Sequence, residues 1–115
     1  MKKPFTVERP WGTFRQYSLN EPVTVKTVFV KKGGILSLQY HNKRAEFWHI
    51  LSGTPEIRIG ETVVRGKAGD EFEVPVTTQH RISAPDGDVE FLEVSFGTFD
   101  ELDNTRLEDV YGRAQ

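Results

Sequence analysis

The sequence contains no cysteine, so neither a disulfide framework nor a thiolate metal site is available to this chain. Any bound metal must therefore be held by nitrogen and oxygen ligands. No run of about 18 apolar residues occurs, and the first residues, MKKPFTVERPWG, lack the apolar stretch of a signal peptide. These absences predict a soluble, cytoplasmic protein with no membrane partner.

A strong charge of either sign is also missing. The net charge is -2, with 28% charged residues of both signs interspersed, which excludes a basic footprint for nucleic acid or a polybasic membrane patch. The length of 115 residues fits one domain with a hydrophobic core and leaves no room for a second catalytic domain. We therefore expect a single domain over residues 1–115.

Helical periodicity is scarce, whereas turn signals recur about every 8 to 12 residues. This pattern predicts an all-β fold, and about nine short strands suit a double-sheet jelly roll. The tail is the exception, because residues 99–102 and 106–111 are candidates for short helical turns at the C-terminus. The predicted strands cover residues 13–17, 23–30, 35–41, 46–51, 55–59, 62–65, 71–74, 79–84 and 89–96.

The stretch 33–53, bracketed by glycines, carries the candidate site. Side chains in a strand alternate between two faces, so Gln39 and His41 lie on the same face of one predicted strand. A short polar turn then leads into a strand that presents Glu46, and His80 begins another strand further along. We therefore predict that Gln39, His41, Glu46 and His80 are ligands of one divalent ion.

This ligand set has a definite chemistry. Two imidazoles, one carboxylate and one amide oxygen carry a single negative charge, which leaves a divalent ion positive and open to substrate oxygens. Zinc is the first choice, with manganese, cobalt, nickel and iron as alternatives. Such an ion acts as a Lewis acid, and stabilising an enediolate is what the interconversion of an aldose and a ketose requires.

The spacing of these residues resembles the paired motifs of the cupin superfamily. The stretch LSLQYHNKRAEFWHILSG more closely resembles the metal-binding segment of the cupin domain of type II mannose-6-phosphate isomerases, and ERPWGTF, VPVTTQHRISAP and TRLEDVYGR extend the likeness along the chain. The two motifs read Gly33-x5-Gln39-x-His41-x4-Glu46-x6-Gly53 and Gly69-x5-Pro75-x4-His80.

The resemblance implies a jelly-roll cupin barrel, a double-stranded β-helix, that uses the same four metal ligands. It also implies a metal-dependent isomerase that interconverts mannose 6-phosphate and fructose 6-phosphate, with Arg106 as a residue that the family uses for substrate. For the phosphate anchor, a guanidinium offers paired planar donors, so Arg106 and Arg81 are candidates and Lys43 is a point-charge alternative. Trp48 is a candidate wall of the sugar pocket.

Several alternatives stay open on the sequence. The general base is one of Glu56, Glu93 and a metal-bound hydroxide. The same ligands suit an iron dioxygenase or a lyase. A sugar-binding or regulatory cupin without catalysis is the third alternative, because this chain has Asn42, Lys43 and Phe47 where the resembled family tends to have histidines.

The expected partners are a small sugar phosphate and a second copy of the chain. Small barrels leave sheet edges and outer apolar faces that a second subunit covers. We expect a homodimer that uses an outer face formed by Val28, Leu36 and Leu38.

Overall fold

The computed structural model describes residues 3–98, 100 and 102–112. These residues form eleven strands in three antiparallel sheets and contain no helix, so no membrane-crossing helix occurs among them. The strands are β1 Phe5–Arg9, β2 Gly12–Gln16, β3 Val23–Val30, β4 Leu38–Tyr40, β5 Arg44–Ser52, β6 Glu56–Ile59, β7 Thr62–Arg65, β8 Glu71–Val74, β9 His80–Ser83, β10 Val89–Gly97 and β11 Thr105–Glu108.

Two of the sheets face each other across the hydrophobic core. One has the strand order β3-β10-β5-β8 and the other has the order β11-β4-β9-β6-β7. Alternation along β5 turns Trp48 and Ile50 inward, where they meet Phe91 of β10 and Ile82 of β9. Full burial of each such side chain stabilises the fold by about 1.5–3 kcal/mol. The all-β double-sheet barrel predicted from the turn pattern is confirmed.

The hairpin β1–β2 forms an arm, a separate two-stranded sheet that leads to Tyr17. Tyr17 packs on the outer face of the four-stranded sheet, against Phe47. Arg15 of the arm pairs with Glu71 of β8 at 2.8 Å. The arm thus covers part of the apolar outer face of that sheet.

The predicted helical turns at the C-terminus are wrong. Residues 106–111 include most of β11, which pairs with β4 so that Arg106 lies opposite Gln39. The unpaired backbone groups at the edge of β4 accept a further strand, and this long-range pairing overrides local preference. Within residues 99–102, positions 99 and 101 lie outside the described residues, and Leu102 is in a turn.

The residues predicted for the dimer face are not on an outer surface. Val28 and Leu36 pack against the core between the sheets, and Leu38 is buried. The reason for Val28 is strand parity, because the apolar residues of β3 that point outward and are exposed are Val25 and Phe29. The homodimer stays a prediction.

Candidate metal centre

Three side chains that were predicted as ligands converge between the two sheets. His41 follows β4, Glu46 lies in β5 and His80 begins β9, and one potential ligand atom from each lies within 4.8 Å of the other two. Nε2 of His41 is 3.3 Å from Oε2 of Glu46, and Nε2 of His80 is 3.8 Å from Oε1. Each residue is only 2% exposed. The group could hold a metal ion.

Backbone carbonyls orient both imidazoles. Nδ1 of His41 lies 2.9 Å from the carbonyl oxygen of Asp103, and Nδ1 of His80 lies 2.9 Å from that of Thr78. A carbonyl only accepts, so each Nδ1 carries the proton and donates it. The other ring nitrogen, Nε2, faces Glu46 in both residues and is the atom that would bind a metal. Metal-ligating histidines are commonly held in this way.

His80 provides a direct test of whether a metal fits. Its Nε2 is buried and has no hydrogen-bond partner among the described residues, which is costly for a polar atom in a protein interior. Burial also lowers the pKa of His80, against the opposing attraction of Glu46, and so favours the neutral, ligating form. A divalent ion would satisfy this orphaned atom.

Glu46 is held as a carboxylate. Burial alone would raise its pKa, but the nearby imidazoles of His41 and His80 lower the pKa to about 2. Trp48 Nε1–H donates to Oε1 at 3.2 Å, and Arg44 Nε–H donates to Oε2 at 3.2 Å. Arg44 also contacts Nε2 of His41 at 3.3 Å. Arg44 was missed in the sequence, where it reads as one more charge in a polar turn.

Gln39 lies beside this group rather than in its centre. It sits opposite His80 in the β4–β9 pairing, and its side chain lines the same cavity as Glu46. Its Oε1 accepts a hydrogen bond from the Ser37 hydroxyl at 3.0 Å. Its role as the fourth ligand stays a prediction.

A cavity of about 230 Å³ opens next to the group. Grooves of about 480 and 500 Å³ lie elsewhere, beside the arm and at the end of β10, but they contain none of the predicted ligands. Two residues that line the smaller cavity each have a buried polar atom without a hydrogen-bond partner among the described residues, namely Nε of Arg106 and Oδ1 of Asn104. The small cavity is therefore the candidate substrate site.

Glu93 of β10 also lines this cavity, together with Glu46. Burial, together with the nearby charge of Glu46, raises the pKa of Glu93 to about 8. Of the two carboxylates considered as bases, Glu56 is instead exposed at the start of β6. The geometry therefore favours Glu93 over Glu56 as the general base.

The other predicted substrate residues lie away from the cavity opening. Trp48 is buried behind the centre, where it packs against His80 and Phe91. Arg81 alternates with His80, so it points away from the site and binds the Leu36 carbonyl and Glu108 instead. Lys43 is exposed in the turn before β5. The structure does not bring Arg81 or Lys43 to the cavity.

Asp103 is a supporting residue that the sequence did not reveal. Its carboxylate accepts the backbone N–H of Asn42 at 2.9 Å and that of Lys43 at 2.8 Å, while its carbonyl accepts from His41. The hydrogen bond from Asn42 is the main cause that holds the pKa of Asp103 below its usual value. These contacts join residues about 60 positions apart, which no local pattern could show. Asp103 clamps the turn between two predicted ligands.

Two facing antiparallel sheets around a buried His/Glu/His group define a cupin barrel with a candidate metal centre. The fold is similar to the crystal structure of a cupin 2 conserved barrel domain protein from Rhodopseudomonas palustris, with a TM-score of 0.65, 25% identity, and coverage of 75% of this chain and 59% of that one. A family model described as mannose-6-phosphate isomerase C-terminal matches residues 1–109, and this chain belongs to that family.

Two curated relatives add to the family match. It is 38% identical over 109 residues to the xanthan biosynthesis protein XanB of Xanthomonas campestris, and 36% identical over 110 residues to the mannose-1-phosphate guanylyltransferase ManC of Salmonella typhimurium. Each match covers 93% of this chain and 23% of the relative, so the chain spans about a quarter of their length. The comparisons support a mannose-related cupin.

Proposed function

We propose that this chain is a metal-dependent sugar-phosphate isomerase that interconverts mannose 6-phosphate and fructose 6-phosphate. The observation that carries the proposal is the convergence of His41, Glu46 and His80 beside a cavity with unpaired polar groups. The family match to the C-terminal part of mannose-6-phosphate isomerases supports the choice of substrate.

The chain's own residues would hold the metal and the sugar. His41, Glu46 and His80 supply three ligands, with Gln39 at the cavity rim as the fourth donor. A bound divalent ion, with zinc preferred for such a donor set, would polarise the sugar oxygens and stabilise the charge of the enediolate. Arg106 lines the cavity, has a buried Nε–H without a partner among the described residues, and suits an anionic group of the substrate.

The proton transfer needs a group inside the cavity. Glu93 lies there, so it is positioned to take the proton from C2 of mannose 6-phosphate and return it to C1. The O2 proton moves to O1 in the same conversion, so the reaction needs no oxidant or reductant. The three ligands are buried, so bulk water is kept away from them, and the substrate enters through the cavity.

Arg44 favours one alternative, namely a sugar-phosphate binding domain without catalysis. Its guanidinium contacts Oε2 of Glu46 and Nε2 of His41, two of the atoms that a metal would need. If these contacts persist in solution, the guanidinium takes the place of the ion and the cavity binds an anion without a Lewis acid.

Proton exchange at C2 distinguishes the two functions. The purified protein, loaded with zinc, manganese or cobalt, is incubated with mannose 6-phosphate in deuterium oxide and followed by proton NMR. The isomerase predicts deuterium at C2 and the appearance of fructose 6-phosphate. Binding of the sugar phosphate with neither deuterium exchange nor formation of fructose 6-phosphate under any of the metals would contradict the isomerase and support the binding domain.

A further inference from the structure

We infer that Lys26 and Arg106, from opposite sheets, together bind the phosphate group of the substrate, and that Asn104 binds an adjacent sugar hydroxyl. This inference rests on the proposed function, because it assumes that a sugar phosphate enters the cavity. Lys26 and Asn104 were not recognised in the sequence, where Lys26 reads as one lysine in an ordinary strand.

The topology places the two cations across the cavity from each other. β3 is one edge strand of the four-stranded sheet, and β11 is one edge strand of the five-stranded sheet. Alternation along β3 turns Lys26 inward, opposite Glu93 of β10, and turns its neighbours Val25 and Thr27 outward. Lys26 and Arg106 both line the small cavity. A ligand that enters there lies between them.

Unsatisfied atoms on the C-terminal segment point to a polar ligand. Nε of Arg106 is a buried donor without a partner, and Oδ1 of Asn104 is a buried acceptor without one, among the described residues. A buried polar atom without a partner costs free energy of folding, so such atoms usually mark a ligand or an ordered water. A phosphate oxygen would satisfy the Arg106 donor, and a sugar hydroxyl would satisfy the Asn104 acceptor.

The charge of the cavity favours an anion. Lys26, Arg44 and Arg106 line it, against the two carboxylates of Glu46 and Glu93. The balance is thus positive even when both carboxylates are ionised, whereas the whole chain carries a net charge of -2. A divalent ion beside the cavity would increase this local excess. The cavity therefore selects an anionic ligand on a protein that is acidic overall.

Arginine and lysine have complementary roles in such a site. The planar guanidinium of Arg106 provides paired donors for two phosphate oxygens, and the ammonium of Lys26 provides a compact charge on the other side. The two other cations predicted as anchors face elsewhere, because Arg81 binds Glu108 and Lys43 is exposed. Lys26 takes the role that the sequence assigned to one of them.

Calorimetric titration of four variants tests this inference without requiring catalysis. Lys26→Met and Arg106→Gln should weaken the binding of mannose 6-phosphate about 10- to 100-fold, as expected for the loss of a charged hydrogen bond. Neither change should affect the binding of unphosphorylated mannose. Asn104→Ala should instead weaken both sugars by a similar factor. Lys31→Met, in the exposed turn after β3, is the matched control and should bind as the unaltered protein does.

Lys26→Arg retains the charge and should restore most of the affinity that Lys26→Met loses, which separates charge from packing. If Lys26→Met does not fold, the unaltered protein is titrated with inorganic phosphate, and NMR should show shifts at Lys26 and Arg106 but none at Lys31. The inference would be overturned if Lys26→Met bound mannose 6-phosphate as tightly as Lys31→Met does. It would also be overturned if inorganic phosphate caused no chemical-shift change at Lys26. Weakened binding in these variants, with neither C2 exchange nor fructose 6-phosphate formed by the unaltered protein, would reject the isomerase and retain the phosphate site.

Discussion

A histidine–carboxylate–arginine cluster lies against each face of the four-stranded sheet, and the two clusters differ in kind. Between the sheets, His41, Glu46 and His80 are joined by Arg44. On the outer face, the cluster consists of His49, Glu71, Arg15 and Tyr17.

The two clusters differ in their burial and in their unsatisfied polar atoms. The inner side chains are 2–7% exposed, and Nε2 of His80 has no partner among the described residues. In the outer cluster, side chains are 20–34% exposed, and Glu71 accepts from Arg15, Tyr17 and His49 on its two oxygens. The same residue types thus form a candidate ligand set on one face and an attachment for the arm on the other.

The largest expected difference between the clusters is in metal binding. His80→Ala removes one inner ligand and should weaken zinc binding by more than the roughly 10–100-fold that losing a supporting partner costs. His49→Ala, its matched control on the outer face, should leave zinc affinity unchanged. Calorimetric zinc titration of both variants, with circular dichroism to check folding, makes the measurement. Equal affinities in the two variants would remove the distinction between the clusters.

Asp103 should have the next largest effect, although it is not a predicted ligand. Asp103→Ala releases the backbone turn at Asn42 and Lys43 and loosens His41, so zinc affinity should fall about 10–100-fold. Asp86→Ala, at an aspartate paired with Arg65 far from the site, is the control and should bind zinc normally. Unchanged affinity in Asp103→Ala would show that the turn needs no clamp.

The outer cluster should respond to acid. Burial tends to raise the pKa of Glu71, but hydrogen bonds from His49, Tyr17 and Arg15 outweigh it and lower that pKa. The carboxylate therefore stabilises the folded state above its unfolded pKa of about 4.3, and this contribution is lost as the pH falls through the lowered value. Urea unfolding should show Glu71→Gln to be less stable than the unaltered protein at pH 7, with the gap narrowing as the pH falls below the unfolded pKa of about 4.3. A gap of constant size would contradict the assignment.

Tyr17→Phe should have the smallest effect. It removes one hydrogen bond to a largely buried carboxylate and keeps the ring that packs on Phe47, so the free energy of unfolding should fall by about 0.5–1.5 kcal/mol. Zinc affinity should not change, because Tyr17 lies on the outer face. A loss of zinc in this variant would mean that the two faces are coupled.

Strand parity explains how much of the site could be predicted from sequence. The spacing of Gln39, His41 and Glu46 predicted that all three point into the interior. The same rule predicted that His49, three residues beyond Glu46, points outward, and in the structure His49 contacts Glu71 on the outer face. Such alternation is a local property, so it can be inferred from a single sequence.

Contacts made across the barrel could not be predicted in this way. Asp103 supports His41, and Lys26 faces the same cavity as Arg106, only because the sheets close on each other. β11 was expected to be helical for the same reason, since its partner β4 lies more than 60 residues earlier. Parity within one strand says nothing about which strands become neighbours.

X-ray absorption at the zinc edge of the zinc-loaded protein tests the central claim most directly. The account predicts one zinc per chain with nitrogen and oxygen ligands at about 2.0–2.2 Å and the outer-shell signal of two imidazoles, from His41 and His80. Zinc that is absent after dialysis, or a spectrum with fewer than two imidazoles, would contradict it.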